Sequence, residues 1–341
     1  MKILMPSRIL DRHTGGNTTY ARAIASGLTS RGISVGKIPM GSHPAITLLR
    51  ETEAGLRAGE AGDVLHYVAD TGPLIKTRRP SVVTVHGVAS RWISDARNRR
   101  QEKIWRTRVQ RAIDSTDRVI TVSRSSARDI HEVFGVDASR IVTIEHGIDL
   151  DRFSTPTPLS EEINGRLPNE FALYLGNIEP RKNLVPLIEA FERPEVRELG
   201  IPLVIAGKPA WNSETTLARL AEATNAIQLG FVSDQDRTAL MQAASVFLFP
   251  SLYEGFGFPV LEALAAGTIV MTSDRGSLAD IAGPSLQFPS LTADGITEGV
   301  VRALTDQTAR GICARNGRDW ASQFSWEASV SKHVDVYESM L

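Results

Sequence analysis

Phe249 to Met271 reads F-P-S-L-Y-E-G-F-G-F-P-V-L-E-A-L-A-A-G-T-I-V-M, an order of residue types that predicts loop, helix and strand in succession. A β-rich run, Val246 to Phe249, leads into it and stops at Pro250. Pro259 stands where a helix would begin and Gly267 just past where it would end, the usual asymmetry of helix termini. Glu254 falls in the loop and Glu262 early in the helix. Helical side chains lean toward the N-terminus, so Glu262 is expected to project to the loop mouth that holds Glu254. Backbone N–H groups near Gly255, Phe256, Gly257 and Phe258 would point into the same space. Two carboxylates beside amide donors at the carboxyl end of a strand suit a ligand rich in hydroxyls. The helix dipole alone also favours glutamate at such a place, so the pair by itself leaves both explanations open. Phe beside Gly in an exposed loop is costly unless a ligand or neighbouring domain covers it, which favours the ligand.

Outward from this window, short apolar strands alternate with amphipathic helices. Strands are expected over Lys2 to Met5, Val64 to Tyr67, Ser81 to Val85, Arg118 to Val122 and Ile141 to Ile144. A second series runs through Phe171 to Gly176, Pro202 to Gly207, Ile227 to Leu229, Val246 to Phe249 and Thr268 to Met271. Helices are expected over Asn17 to Ser30, Ser125 to Phe134 and Asn183 to Phe191. Such alternation predicts an α/β chain with parallel sheets covered on both faces. A length of 341 residues favours two domains. The proline-bearing stretch Ser154 to Pro168 lacks a clear period and is the expected boundary, with residues 1–155 on one side and 156–325 on the other. Both domains should be doubly wound, with ligand sites at the carboxyl edges of their strands, in a central cleft.

Bulk properties narrow the function classes. A formal net charge of −1 gives no general attraction to nucleic acid, and none is expected as a partner. Cys313 is the single cysteine, so neither a disulfide framework nor a thiolate metal cluster is available. The opening M-K-I-L-M-P-S-R is too short and too soon charged for a signal peptide, and no apolar stretch reaches spanning length. A soluble, cytoplasmic chain is the expectation.

Four further features carry chemistry. In G-N-I-E-P-R-K-N-L, Gly176 to Leu184, the cations Arg181 and Lys182 precede a helix whose dipole favours negative charge. A bound diphosphate would remove that conflict; a solvated basic turn is the alternative. V-V-T-V-H-G puts His86 at a strand end, where it serves either a sugar hydroxyl or the structure itself. Gly15-Gly16 permits close backbone approach of a ligand, or makes an ordinary tight turn. Arg91 to Arg111 carries eight basic residues against Asp95 and Glu102, with Trp92 and Trp105 interleaved. It is either a solvated helix face or a patch for an anionic lipid surface or phosphorylated acceptor. Two D-x-D strings, Asp149-Leu150-Asp151 and Asp234-Gln235-Asp236, fit helix starts better than metal ligands, and no metal is expected.

Taken in order, G-N-I-E-P-R-K-N, G-F-V-S-D at Gly230 to Asp234, and P-S-L-Y-E-G-F-G-F-P-V-L-E-A-L-A-A-G resemble the retaining glycosyltransferases of family 4, of GT-B fold. The similarity extends to Gly15-Gly16, His86, H-G-I-D-L-D-R-F before the boundary, and F-S-W-E near the C-terminus. The resemblance implies that Arg181 and Lys182 hold a donor diphosphate and Glu262 a ribose. Glu254, with the backbone of Gly255, Phe256 and Gly257, would take the transferred sugar; Phe231 and Val232 would lie near the base. It places His86 near the reacting carbon, Gly16 by the phosphates or acceptor, and a last helix, 326–341, back on the first domain. Gly87 stands where the family often has aspartate, and Asp280 where it commonly has glutamate.

The implied activity is transfer of a hexose from a nucleoside-diphosphate sugar to an acceptor hydroxyl with retention, by front-face attack and without a metal. The donor is a substrate, so no cofactor is expected; GDP-mannose or a UDP-sugar fits, with mannose or a related hexose favoured by analogy. The acceptor is a glycan, a lipid-linked sugar or a small molecule, with peripheral contact to the inner face of the membrane through residues 91–111 as an option. A sugar-nucleotide 2-epimerase and a non-catalytic sugar-nucleotide-binding protein share the architecture. A nicotinamide dehydrogenase would need a glycine fingerprint that neither half shows.

Overall fold

The computed structural model describes residues 1–12, 15–93 and 99–341. The chain folds as two compact units, Met1–Gly147 with Phe324–Leu341, and Ile148–Gln323. Each unit is built on a six-stranded parallel sheet flanked by helices.

In the first unit the strands are β1 (Lys2–Pro6), β2 (Ser34–Ile38), β3 (Asp63–Tyr67), β4 (Ser81–Val85), β5 (Arg118–Thr121) and β6 (Ile141–Thr143), ordered β2-β1-β3-β4-β5-β6. Alternation along each strand feeds two cores, one per face. Ile3, Met5, Val64, Val82 and Ile120 pack with Ile24 and Leu28 of the helix Gly16–Ser30 and with Val330 and Val336 of the helix Trp326–Glu338. Leu65, Tyr67, Val83, Val85 and Val119 face the other way, onto Val109, Ile113, Ile130 and Phe134. The order reverses between β1 and β3: β1 leads outward to β2, and the chain then returns to lay β3 on its other side. Loops leaving β1 and β3 therefore diverge, opening a crevice at the carboxyl edge.

The second unit repeats the plan with β7 (Ala172–Leu175), β8 (Leu203–Ala206), β9 (Ala226–Gly230), β10 (Val246–Phe249), β11 (Val270–Thr272) and β12 (Leu286–Gln287), ordered β12-β11-β10-β7-β8-β9. Strands β7, β8 and β10 are buried throughout, which explains their unbroken apolar runs. Here the order reverses between β7 and β10, so the loops that follow these two strands diverge.

The division falls after Gly147, ahead of the expected 155. The proline-bearing stretch is tied to the second unit, because Gln242 Oε1 accepts from Thr157 N–H and Asp236 Oδ1 accepts from Ser160 N–H. Asp149 caps the short helix Leu150–Ser154, whose Phe153 is buried. Among the described residues, no helix is long and apolar enough to cross a membrane.

Candidate active site

The two reversal points collect the residues that carry chemistry. In the second unit the loop after β7 rises through Glu179 into a 3-10 turn, Pro180–Lys182. Asn183 then takes a left-handed conformation (φ 57°) before the helix Leu184–Phe191. Arg181 and Lys182 therefore precede that helix, in a turn of their own. The turn aims both cations across the reversal point at the loop after β10. Glu254, nearly buried, accepts from Lys182 Nζ at 2.6 Å and Arg181 Nη1 at 2.7 Å. Arg181 also donates to Glu179 at 2.6 Å and to the Tyr253 carbonyl at 2.8 Å. Lys182 Nζ lies 4.6 Å from the centre of the Phe249 ring.

These charges set one another. Burial pushes the Glu254 carboxyl up, but Arg181 and Lys182 overcome it and hold its pKa down at about 2. Burial and the Arg181 charge together depress the Lys182 ammonium, against Glu254, which supports it. Burial likewise works against the Arg181 charge, yet Glu254 and Glu179 carry its pKa above the ordinary value. Two cations face two carboxylates, a neutral cluster with hydrogen-bonding capacity left over: an ionised carboxylate offers about four lone-pair sites.

Gly257 (φ 101°) opens the helix Phe258–Ala265, and a Cβ there would lie 2.7 Å from Leu278 Cδ2. The glycine thus serves close packing within the unit. Phe256 is buried and meets Phe258 edge-on, centroids 5.1 Å apart, so the loop's own fold covers the aromatic expected to need a ligand. Ser277 fastens the loop, giving its N–H to the Glu254 carbonyl and its hydroxyl to the Phe256 carbonyl. Gly255 is half-buried. Glu262, one turn into the helix, is buried and paired with Arg237. After β9, Phe231 is 64% exposed with Lys208 Nζ 4.0 Å from its ring centre, and Val232 beside it is half-buried.

In the first unit, His86 is half-buried at the end of β4. Asp70, in the loop after β3, accepts from its backbone N–H at 2.8 Å, and its Nε2 lies 3.2 Å from the Val68 carbonyl. Burial lowers the His86 pKa, while Asp70 and Val68 act in the opposite sense. Gly16 is the exposed first residue of the helix Gly16–Ser30. Behind His86 lies a buried aromatic cluster. Tyr20 Oη contacts His333 Nε2 at 2.7 Å and Thr84 Oγ1 at 2.9 Å, and Tyr337 Oη contacts His66 Nδ1 at 2.7 Å.

The expected residues are therefore brought together in two groups: Arg181, Lys182 and Glu254 form one constellation, and Glu262 joins Arg237 on the adjoining helix. Glu179, Arg237, Lys208, Asp70 and Tyr20 had no assigned role. Glu179 was legible as the acidic member of E-P-R-K; Arg237 follows the G-F-V-S-D string by one turn, a weaker signal. Both D-x-D strings supply helix caps or first-turn residues: Asp149 accepts from Arg152 N–H, and Ser233, which caps the helix Asp234–Ala243, accepts from Asp236 N–H. In the basic segment, residues 94–98 lie outside the described residues. Elsewhere in it, Trp92 donates to Asp129, Trp105 packs on Phe134, and Arg91 is paired with Asp129 and Glu132.

Comparison with known proteins bears on this arrangement. Residues 159–320 match the family model for glycosyl transferases group 1, and residues 62–152 that for glycosyltransferase family 4. An O-antigen chain mannosyltransferase B of Escherichia coli is 31% identical over 67% of this chain and 62% of its own length. An MMP alpha-(1->4)-mannosyltransferase of Mycolicibacterium hassiacum is 30% identical over 84% of this chain and 74% of its own. A GDP-mannose:cellobiosyl-diphosphopolyprenol alpha-mannosyltransferase of Xanthomonas campestris is 29% identical over 84% and 76%. The chain thus spans less than two thirds of the E. coli relative. Among solved structures, a sucrose-phosphate synthase from Thermosynechococcus elongatus superposes with a TM-score of 0.76, covering 99% of this chain and 98% of that one at 19% identity. That likeness speaks for the fold alone. The chain belongs to the family 4 glycosyltransferases of GT-B fold.

Proposed function

We propose that this protein transfers a hexose, with mannose favoured, from a nucleoside-diphosphate sugar to a hydroxyl of a glycan or lipid-linked acceptor, with retention at the anomeric carbon. The observation that carries this is the Arg181–Lys182–Glu254 constellation at the β7/β10 reversal point. Cleaving the bond from an anomeric carbon to a diphosphate builds negative charge on the leaving oxygens. Arg181 and Lys182, held in place by Glu254 and Glu179, supply donors aimed in advance at that charge. Glu254 keeps lone pairs for a sugar hydroxyl, beside the backbone of Gly255, Phe256 and Gly257. Glu262, oriented by Arg237, takes the ribose hydroxyls, and Phe231 and Val232 flank the base. His86, braced by Asp70, meets the sugar near the reacting carbon, and the backbone at Gly16 is offered to phosphate or acceptor.

Mannose is favoured by the mannosyltransferase relatives, one of which names GDP-mannose as its donor. With a lipid-linked acceptor, the exposed Arg99, Arg100, Lys103 and Ile104 of the helix Arg99–Ser115 would meet an anionic membrane surface. The test is to incubate GDP-mannose and UDP-glucose separately with a mannoside acceptor and assign the product's anomeric configuration by NMR. An α-linked product from an α-linked donor supports the proposal. A β-linked product, or an epimerised donor formed without acceptor, contradicts it.

A further inference from the structure

His86 is packed by two rings: Tyr20 meets it edge-on, centroids 5.1 Å apart and planes at 82°, and the ring of His146 lies 5.6 Å away. The hydroxyl of Tyr20 in turn belongs to a series of hydrogen bonds whose side chains, Tyr337, His66, Thr84, Tyr20 and His333, are all fully buried. A single carbonyl sets the direction of the whole series. His333 Nδ1 lies 2.7 Å from the Ser329 carbonyl, which can only accept, so Nδ1 carries the proton and the neutral ring keeps a lone pair on Nε2. Tyr20 therefore donates to His333 Nε2 at 2.7 Å. With that hydrogen spent, Thr84 must donate to Tyr20 Oη at 2.9 Å, and His66 Nε2 to Thr84 Oγ1 at 2.8 Å. His66 Nδ1 is then the acceptor for Tyr337 Oη at 2.7 Å. Burial keeps both imidazoles neutral, as this assignment requires. The series starts and ends on the helix Trp326–Glu338 and passes through β3, β4 and the helix Gly16–Ser30. Thr84 precedes His86 by two residues, so both side chains leave the same face of the strand. His86 itself gives Nε2–H to the Val68 carbonyl, 3.2 Å away, which leaves the lone pair of its neutral ring on Nδ1. Such an acceptor is directional, so the ring plane must be held.

We propose that Tyr20 and His333 are positioning residues for His86: the last helix, through His333, fixes the Tyr20 hydroxyl, and the Tyr20 ring fixes the plane of the His86 imidazole. This rests on the transferase reading, in which His86 meets the sugar near the reacting carbon, and it adds the last helix to what sets the rate of transfer. Removing one hydroxyl or one acceptor strands buried groups on either side of it, so the disturbance passes along the series. A displaced imidazole leaves the diphosphate grip of Arg181 and Lys182 untouched but no longer meets the reacting carbon in the right geometry. Turnover is therefore lost before donor affinity.

The experiment compares the wild-type full chain with Tyr20→Phe, His333→Leu and His333→Gln, and with Val109→Ala, a destabilised control in the core on the other face of the sheet. Transfer to a mannoside acceptor from GDP-mannose or UDP-glucose, whichever the wild type turns over, gives kcat and the donor KM. NMR of the ring nitrogens reads His86, and thermal unfolding confirms that each variant is folded. The expected result is that Tyr20→Phe and His333→Leu lower kcat about tenfold or more, keep the donor KM within about twofold, and shift the His86 signals. His333→Gln, whose amide oxygen can accept from Tyr20, should recover part of both effects, and Val109→Ala should show neither. Unmoved His86 signals or a wild-type kcat in whichever of Tyr20→Phe and His333→Leu is folded, or an equal loss of kcat in Val109→Ala, would each overturn the proposal. A wild type that turns over neither donor would instead strike at the transferase reading, and the His86 signals alone would then decide the positioning.

Discussion

Glu254 is the hinge of the charge arrangement, because one carboxylate answers two cations that burial would otherwise discharge or expel. Replacing it by glutamine leaves Lys182 buried without its counter-charge, which should cost about 3 kcal/mol of stability. The same change releases Arg181 and Lys182 for other anions. A nucleoside diphosphate should therefore raise the melting temperature of Glu254→Gln by more than that of the wild type, while sugar transfer collapses. Equal thermal shifts in the two proteins would show that Glu254 does not govern the cations. Gly207 is a second critical residue: a Cβ there would fall 1.8 Å from the Gly176 carbonyl oxygen, where the loops after β7 and β8 touch. Gly207→Ala should destabilise the second unit by roughly 3 kcal/mol or more, read as a lower urea midpoint. At this scale the sequence showed the charged string E-P-R-K and both glutamates, because residue type and order suffice to flag them. It did not show that Arg237 reaches Glu262 or that Asp70 reaches His86. The first pairing joins two helices and the second the loops after β3 and β4, so both depend on how elements are laid side by side, which no local pattern encodes.

Among elements, the helix Trp326–Glu338 illustrates how buried polar groups bind a segment in place. His333 meets Tyr20, and Tyr337 meets His66, in a region without water-facing surface. Burial holds His66 and His146 well below the ordinary histidine value and His333 at about 4, with neighbouring histidines acting in the same direction. The groups facing them, Tyr20, Thr84, Tyr337 and His86, supply no negative charge to offset protonation. The folded state keeps these imidazoles neutral, whereas the unfolded chain protonates them below about pH 6.5. Stability is therefore full above that pH and falls as the pH drops toward 4, by roughly 1 kcal/mol per histidine between pH 6.5 and 5.5. Urea midpoints at pH 7.5, 6.5 and 5.5 check this; a midpoint that stays level would refute the neutral cluster. Most of the described strands were legible as apolar runs, and the two that were not are β2 and β12. Both lie at sheet edges: β2 contains Gly36 and Lys37, and β12 has only two residues. Edge strands lack the two-sided burial that writes a continuous apolar run into sequence. The sequence puts Arg181 and Lys182 ahead of a helix, but the left-handed Asn183 that separates their turn from it leaves no periodic trace.

For the molecule as a whole, a doubly wound plan used twice puts a reversal point in each unit, and the charged residues gather at both. The proposed division of labour follows from chemistry: a neutral cluster with paired cations receives the diphosphate in the second unit, and a half-buried histidine marks the first. The central claim is that Arg181 and Lys182 grip the diphosphate and not the nucleoside. Calorimetry of GDP, UDP and the matching nucleosides against wild type, Arg181→Ala and Lys182→Ala tests it most directly. The account predicts that each substitution weakens the preferred diphosphate by about tenfold or more while changing nucleoside binding little. Equal losses for diphosphate and nucleoside, or no loss for either, would contradict it.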